Sequence, residues 1–338
     1  MKAIVQDKYG SPEEVMKLQD IDKPAIKDGE VLIKVHSASL HIGDWVIARG
    51  VPYFMRMIFG LRKPKERILG QDIAGTVEAV GKKVKQFQLG DQVFGWCKGA
   101  FAEYACAGED NLVLKPANIS FEQAAAVGVS AFTALQALRD QGEVQPGQQV
   151  LINGASGGVG TFAVQIAKAL GAEVTGVCST RNVSLVQSIG ADHVIDYTKN
   201  NFTQGEQRYD FLLDLVGNHS LSDCRHVLTP KGTLLPSYGA HSSGRWIGAM
   251  GSVTKAFLLS LVIRQQRRPF VATQNKEDLA TLREFLEADK VTPVTDRSYS
   301  LSETPAALAY LGEGHARGKV VITVVTSSKT EQNAKVPS

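Results

Sequence analysis

The stretch QVLINGASGGVGTFAVQIAKALGAEVTGVCS, residues 149–179, decides the fold. It opens on an apolar run, residues 150–152, short enough for a buried strand. A turn of small residues follows, Gly154-Ala155-Ser156-Gly157-Gly158-Val159-Gly160. Phe162, Ala163, Ile166, Ala167 and Leu170 then recur at helical spacing, and Gly171 stands where a helix ends. A second apolar run, 174–178, completes a β-α-β unit of about 30 residues. Such a turn binds anions. Small residues let the backbone approach a pyrophosphate, and the helix N-terminus offers unpaired N–H groups with partial positive charge. Ala155-x-Gly157-x-x-Gly160 is a variant of the dinucleotide fingerprint, and the flanking strands and helix supply the context it requires.

Ala155, Ser156, Gly157, Gly158 and Val159 are therefore candidates to meet a pyrophosphate. The end of the second strand reads Ser179-Thr180-Arg181-Asn182, with one guanidinium and no acid to hold a ribose 2′-hydroxyl. That composition favours a 2′-phosphate, and so NADPH over NADH. Val216-Gly217 and Tyr238-Gly239 follow predicted strands, at the carboxyl edge where open sheets bind ligands.

Outward from this unit, the first 120 residues are β-rich and lack βα alternation, so a separate β domain precedes the nucleotide domain. Ser120 and Gln123 form a helix-cap pattern, and the helix they open is expected to run to Arg139. Strands and helices alternate from there, giving a doubly wound parallel sheet whose last strand is placed at 269–272. A final strand at 320–324 returns to the N-terminal β domain. Residues from 326 on are polar and aperiodic, and 329–338 are expected to be a disordered tail.

The chain has 338 residues, enough for two cores, and 43% hydrophobic and 21% charged residues, as in an ordinary soluble protein. Its net charge of +3 is too small to argue for nucleic acid. Cys97, Cys106, Cys178 and Cys224 form no C-x-x-C pair and no zinc-ribbon spacing, which fits a reduced, cytoplasmic setting. A strand begins at once after Met1, leaving no room for a signal peptide.

Taken together, several stretches resemble the medium-chain dehydrogenase/reductase superfamily, in its zinc-independent quinone oxidoreductase branch. They are GQDIAGTV (70–77), LGDQVFG (89–95), GAFAEY (99–104), the fingerprint, GADHVIDY (190–197) and GHARGKVVI (314–322). The resemblance implies an α/β architecture with a GroES-like β domain, 1–123 and 274–328, and a Rossmann doubly wound parallel-sheet domain, 124–273. Zinc-dependent relatives carry ligands at positions that read His41-Ile42-Gly43-Asp44, Gly70-Gln71-Asp72 and the vicinity of Gly128 here. One His with a Gln and a Gly makes no tetrahedral site, so no metal is expected.

Without a Lewis acid, the chemistry implied is NADPH-dependent hydride transfer to small acceptors that are already electrophilic. These are quinones and activated alkenes (enones, 2-alkenals), with enoyl thioesters of fatty-acid synthesis as the alternative. A non-catalytic NADPH-binding protein is the reading from another class. By resemblance, Tyr53, His41 and Asp44 stand near the reacting centre, although His41 replaces the family's Asn. Thr133 and Tyr197 likewise approach the cofactor, Lys319 reaches the cofactor or the interdomain cleft, and the assembly is a monomer or homodimer.

Two stretches lie beyond what the fold requires. Residues 242–270 carry Arg245, Lys255, Arg264, Arg267 and Arg268 without an acid, and Trp246, Met250, Val253, Phe257 and Leu261 at helical spacing. Residues 54–65 repeat the mixture of bulky apolar and basic side chains. They suit either a lid or dimer contact, or a rim that admits a long apolar acceptor from a membrane surface.

Overall fold

The computed structural model describes residues 1–237 and 271–324. Tyr238, Gly239, the 242–270 stretch and the 329–338 tail therefore lie outside the described residues.

The chain opens with β1 (Lys2–Gln6), the short helix α1 (Pro12–Val15) and β2 (Met16–Asp20), β1 and β2 pairing antiparallel. Next come β3 (Glu30–Ser39), α2 (Ile42–Arg49), α3 (Arg56–Phe59) and β4 (Asp72–Val80). Strands β5 (Gln92–Trp96), β6 (Tyr104–Gly108) and β7 (Leu112–Leu114) finish the N-terminal part. β3 alternates buried and partly exposed residues over its first half, burying Val31, Ile33 and Val35, the pattern of a strand with one face on a core.

The helix α4 (Phe121–Gln136) is capped as the sequence indicates, Ser120 and Gln123 bonding each other's backbones. It does not run unbroken to Arg139. Gly128 is non-helical at φ 6°, ψ −135°, and residues Ala137–Gln141 form a π-turn. The nucleotide unit follows as β8 (Gln149–Asn153), α5 (Gly158–Ala169) and β9 (Glu173–Cys178). It continues through β10 (His193–Asp196), β11 (Tyr209–Asp214) and β12 (Leu228–Pro236). These five strands form a parallel sheet in the order β10-β9-β8-β11-β12. Such a sheet is covered on both faces, which is why Val150, Leu151 and Ile152 are fully buried in succession. Burying Phe162, Ile166 and similar α5 side chains contributes about 1.5–3 kcal/mol each.

The expected strand at 269–272 needs correction: Val271 and Ala272 are irregular, Val271 is 89% exposed, and 269–270 lie outside the described residues. A side chain as exposed as Val271 has no place in a doubly covered sheet.

β13 (Thr295–Ser300) and β14 (Lys319–Thr323) pair parallel, and β14 lies antiparallel to β3, so the chain returns to the first sheet. α4 joins the two halves. Its Val127, Ala131 and Phe132 share one core with Ala74 and Phe94 of β4 and β5 and with the apolar residues of β8 and α5.

Candidate functional site

The anion-binding turn is built as its glycines require. Gly154 takes φ +92°, reversing the chain after β8. At Gly160 a Cβ would lie 2.1 Å from the Gly154 carbonyl oxygen, so only glycine lets α5 start this close to the strand. Gly158 and Val159 open α5, where backbone N–H groups have no intrahelical partner. Two candidates serve differently. The Ala155 N–H donates to Val177 O at 3.1 Å and the Gly157 N–H to Gly154 O at 3.1 Å, so both shape the turn instead of offering donors. Ser156 holds it in place, accepting from Asn182 Nδ2 at 2.9 Å and, through its carbonyl, from the Gly318 N–H at 2.9 Å. This bare, helix-headed turn fits a pyrophosphate.

At the end of β9, Arg181 is exposed and reaches across the domains, its Nη2 donating to His315 O at 3.1 Å. Arg317 returns the bond, donating to Arg181 O at 3.3 Å. The absence of an acid after β9 holds only in sequence. Asp196, at the end of β10, accepts from the Thr180 hydroxyl at 2.6 Å and from the Thr198 N–H and hydroxyl. The Thr180 hydroxyl, with Thr198 and Lys199 in support, holds this carboxyl down to about 2 against the burial that would raise it. Both oxygens of Asp196 are thus engaged. Ser179 and Tyr197 flank this edge, Tyr197 being 56% exposed. On the other side of the turn, Asp214 accepts from the Val216 and Gly217 N–H groups at 3.1 and 3.0 Å, and the Val216 side chain comes against Gly154.

Lys319 does not present its ammonium to the turn. Buried at 2% exposure, it donates to Leu40 O at 3.0 Å and to Asp72 Oδ2 and Ser130 Oγ, both at 3.3 Å. With three donors engaged it joins the domains. Asp72, fully buried, also takes the Ser39 hydroxyl at 3.1 Å and the Val129 N–H at 3.0 Å. The carboxylate therefore caps the second segment of α4 at its break. A Cβ on Gly128 would sit 1.9 Å from it. Thr133 bonds back to Val129 O at 2.7 Å, so its hydroxyl proton is used within the helix.

The three catalytic candidates are dispersed in role. His41 is the N-cap residue of α2, and its N–H donates to Asp44 Oδ2 at 3.0 Å. Asp44 is 1% exposed, and burial raises its carboxyl above the ordinary range. His41 Nε2 lies 3.5 Å from Asp44 Oδ1 and has no hydrogen-bond partner. The Tyr53 ring lies under the Arg56 guanidinium at 4.7 Å. A cavity of about 910 Å³ is walled by Asp44, Ile47, Ile58, Phe59, Gln71 and Trp96, among others, and Tyr53 stands outside that wall. Among the described residues no three His, Cys, Asp or Glu side chains group to hold a metal. The positions that would carry zinc ligands hold Gln71 on the cavity wall and Gly128 against Asp72.

The chain resembles known proteins over nearly its whole length. Residues 27–117 match the alcohol dehydrogenase GroES-like domain family, and residues 189–322 match a family described as zinc-binding dehydrogenase. The mitochondrial NAD(P)H oxidoreductase RTN4IP1 of Mus musculus is 33% identical, over 96% of this chain and 89% of that protein. The chloroplastic NADPH-dependent alkenal/one oxidoreductase of Arabidopsis thaliana is 33% identical, over 95% of this chain and 79% of that one. The structure of a quinone oxidoreductase from Coxiella burnetii superposes with a TM-score of 0.83 at 30% identity, covering 96% and 99% of the two chains. The chain belongs to the medium-chain dehydrogenase/reductase superfamily. Within it, the chain is an oxidoreductase of the zinc-independent, quinone oxidoreductase-like branch.

Proposed function

We propose that the protein reduces quinones or activated alkenes, enones and 2-alkenals among them, with NADPH as the hydride source. The observation that carries this reading is the Gly158-Val159 head of α5 with Arg181 and Arg317 beyond the β9 end. It supplies backbone donors for a pyrophosphate and guanidinium groups for a 2′-phosphate. NADPH bound there supplies a hydride.

The chain's own residues do the rest. The Asp72–Lys319 junction fixes α4 and the turn against the catalytic domain, and so fixes the approach of cofactor to acceptor. Ile47, Phe59 and Trp96 give the cavity an apolar stretch of wall that suits an apolar acceptor. Charge that develops on a conjugated oxygen is met by hydrogen-bond donors of the wall, with Gln71 the polar side chain suited to that place. The final proton comes from water, Tyr53 standing outside the cavity wall. A steady-state screen of NADPH oxidation against a soluble quinone, a 2-alkenal and a crotonyl thioester tests the reading. Turnover with the thioester alone would instead assign fatty-acid synthesis. Cofactor binding without any turnover would leave a binding protein.

A further inference from the structure

The segment from α3 to Lys65 projects an apolar tip, and its construction shows that the projection is built in. Gly60, at φ +122°, lets the chain reverse where a Cβ would strike Lys63 O at 2.1 Å. The Lys65 N–H then donates to Phe59 O at 2.8 Å and closes the turn. Its base is anchored twice. The Tyr9 hydroxyl donates to Gly60 O at 2.6 Å, and Arg56 bonds Gly50 O at 2.9 Å while lying over the Tyr9 ring.

This closed finger holds Met57, Ile58 and Leu61 at 74%, 60% and 72% exposure. Three large apolar side chains exposed within five residues of one closed turn call for an occupant. The charges say which kind. Arg62, Lys63 and Lys65 are exposed beside them, and among the described residues Arg62 and Lys65 have no ion-pair partner. The nearby Asp7 carboxylate is taken by Arg67 at 2.7 Å. Ile58, Phe59, Pro64 and Lys65 also form part of the cavity wall, so the finger borders the cavity.

We infer that this finger docks on an anionic lipid surface, sinking Met57, Ile58 and Leu61 into the interface with Arg62, Lys63 and Lys65 at headgroup level. An apolar acceptor then enters the cavity from the lipid. The acceptor's role rests on the proposed reductase activity, whereas the docking does not. Interfacial binding of this kind combines buried apolar area with attraction of cations to anionic lipid, and salt weakens the second part.

The test is sedimentation of the full chain with phosphatidylcholine vesicles, with and without phosphatidylserine, at low and high salt. Two variants avoid the cavity wall: Met57→Ser with Leu61→Ser, and Arg62→Gln with Lys63→Gln. The wild type should pellet with the phosphatidylserine vesicles at low salt and be released by high salt. Each double variant should lower partitioning about tenfold or more. Both should still turn over a short soluble quinone at the wild-type rate without vesicles. A wild type that stays in the supernatant, or variants that pellet as it does, would overturn the docking surface. So would a wild type that is dimeric without vesicles and variants that are monomeric, which would assign the tip to a second copy of this chain. Failure of the wild type with the soluble quinone would strike the reductase reading alone.

Discussion

The guanidinium of Arg181 leaves the end of β9 and donates to His315 O across the domain boundary, while Arg317 bonds back to the Arg181 carbonyl. A guanidinium bond to a dianionic phosphate is charge-assisted, and losing one costs about 1.5–3 kcal/mol. Arg181→Ala should therefore weaken NADPH binding about tenfold to a hundredfold and change NADH binding by less than about twofold. Titration of both cofactors against wild type and variant reads this directly. Equal losses for the two would mean that Arg181 does not hold the 2′-phosphate.

The elements of the nucleotide unit were legible in sequence because everything that sets them is local. The Gly154–Gly160 turn, the apolar run of β8 and the stripe of α5 lie within two dozen residues, and each matches a distinct backbone demand. Asp196 was not legible in the same way. The sequence carries no acid directly after β9, and the carboxylate beside Thr180 comes from the end of the neighbouring strand. This link ties two strand ends together and has a pH signature. The Asp196 carboxyl lies at about 2 in the folded chain against 3.8 ordinarily. A carboxyl whose folded value is below its unfolded one stabilises above the unfolded value and loses that stabilisation as pH falls through the folded value. Urea midpoints measured from pH 5 to pH 2 should fall more steeply for the wild type than for Asp196→Asn below about pH 4. Parallel curves would show that the Thr180–Asp196 link contributes nothing to stability.

Across the whole molecule, the junction that sets one domain against the other escaped the sequence reading for a different reason. Asp72 and Lys319 are 247 positions apart, and no local pattern marks Asp72 as their meeting point with the α4 break. The one signal was Gly128, a glycine inside a helical pattern, which the carboxylate in fact requires. Lys319 was expected at the cofactor or the interdomain cleft, whereas its buried ammonium bonds Leu40 O, Asp72 and Ser130. Removing one member of a buried pair strands the other charge. Lys319→Met should destabilise the protein by about 3–5 kcal/mol, and adding Asp72→Asn should restore part of that loss. A double variant no more stable than Lys319→Met would argue against an ion pair as the joint between domains. The most direct test of a zinc-free NADPH reductase is the rate of NADPH oxidation by purified protein with a soluble quinone or 2-alkenal, with and without a strong chelator. Turnover that survives chelation and falls at least tenfold when NADH replaces NADPH at limiting cofactor is the expected result. Activity lost to the chelator and restored by zinc, or equal rates with the two cofactors, would contradict it.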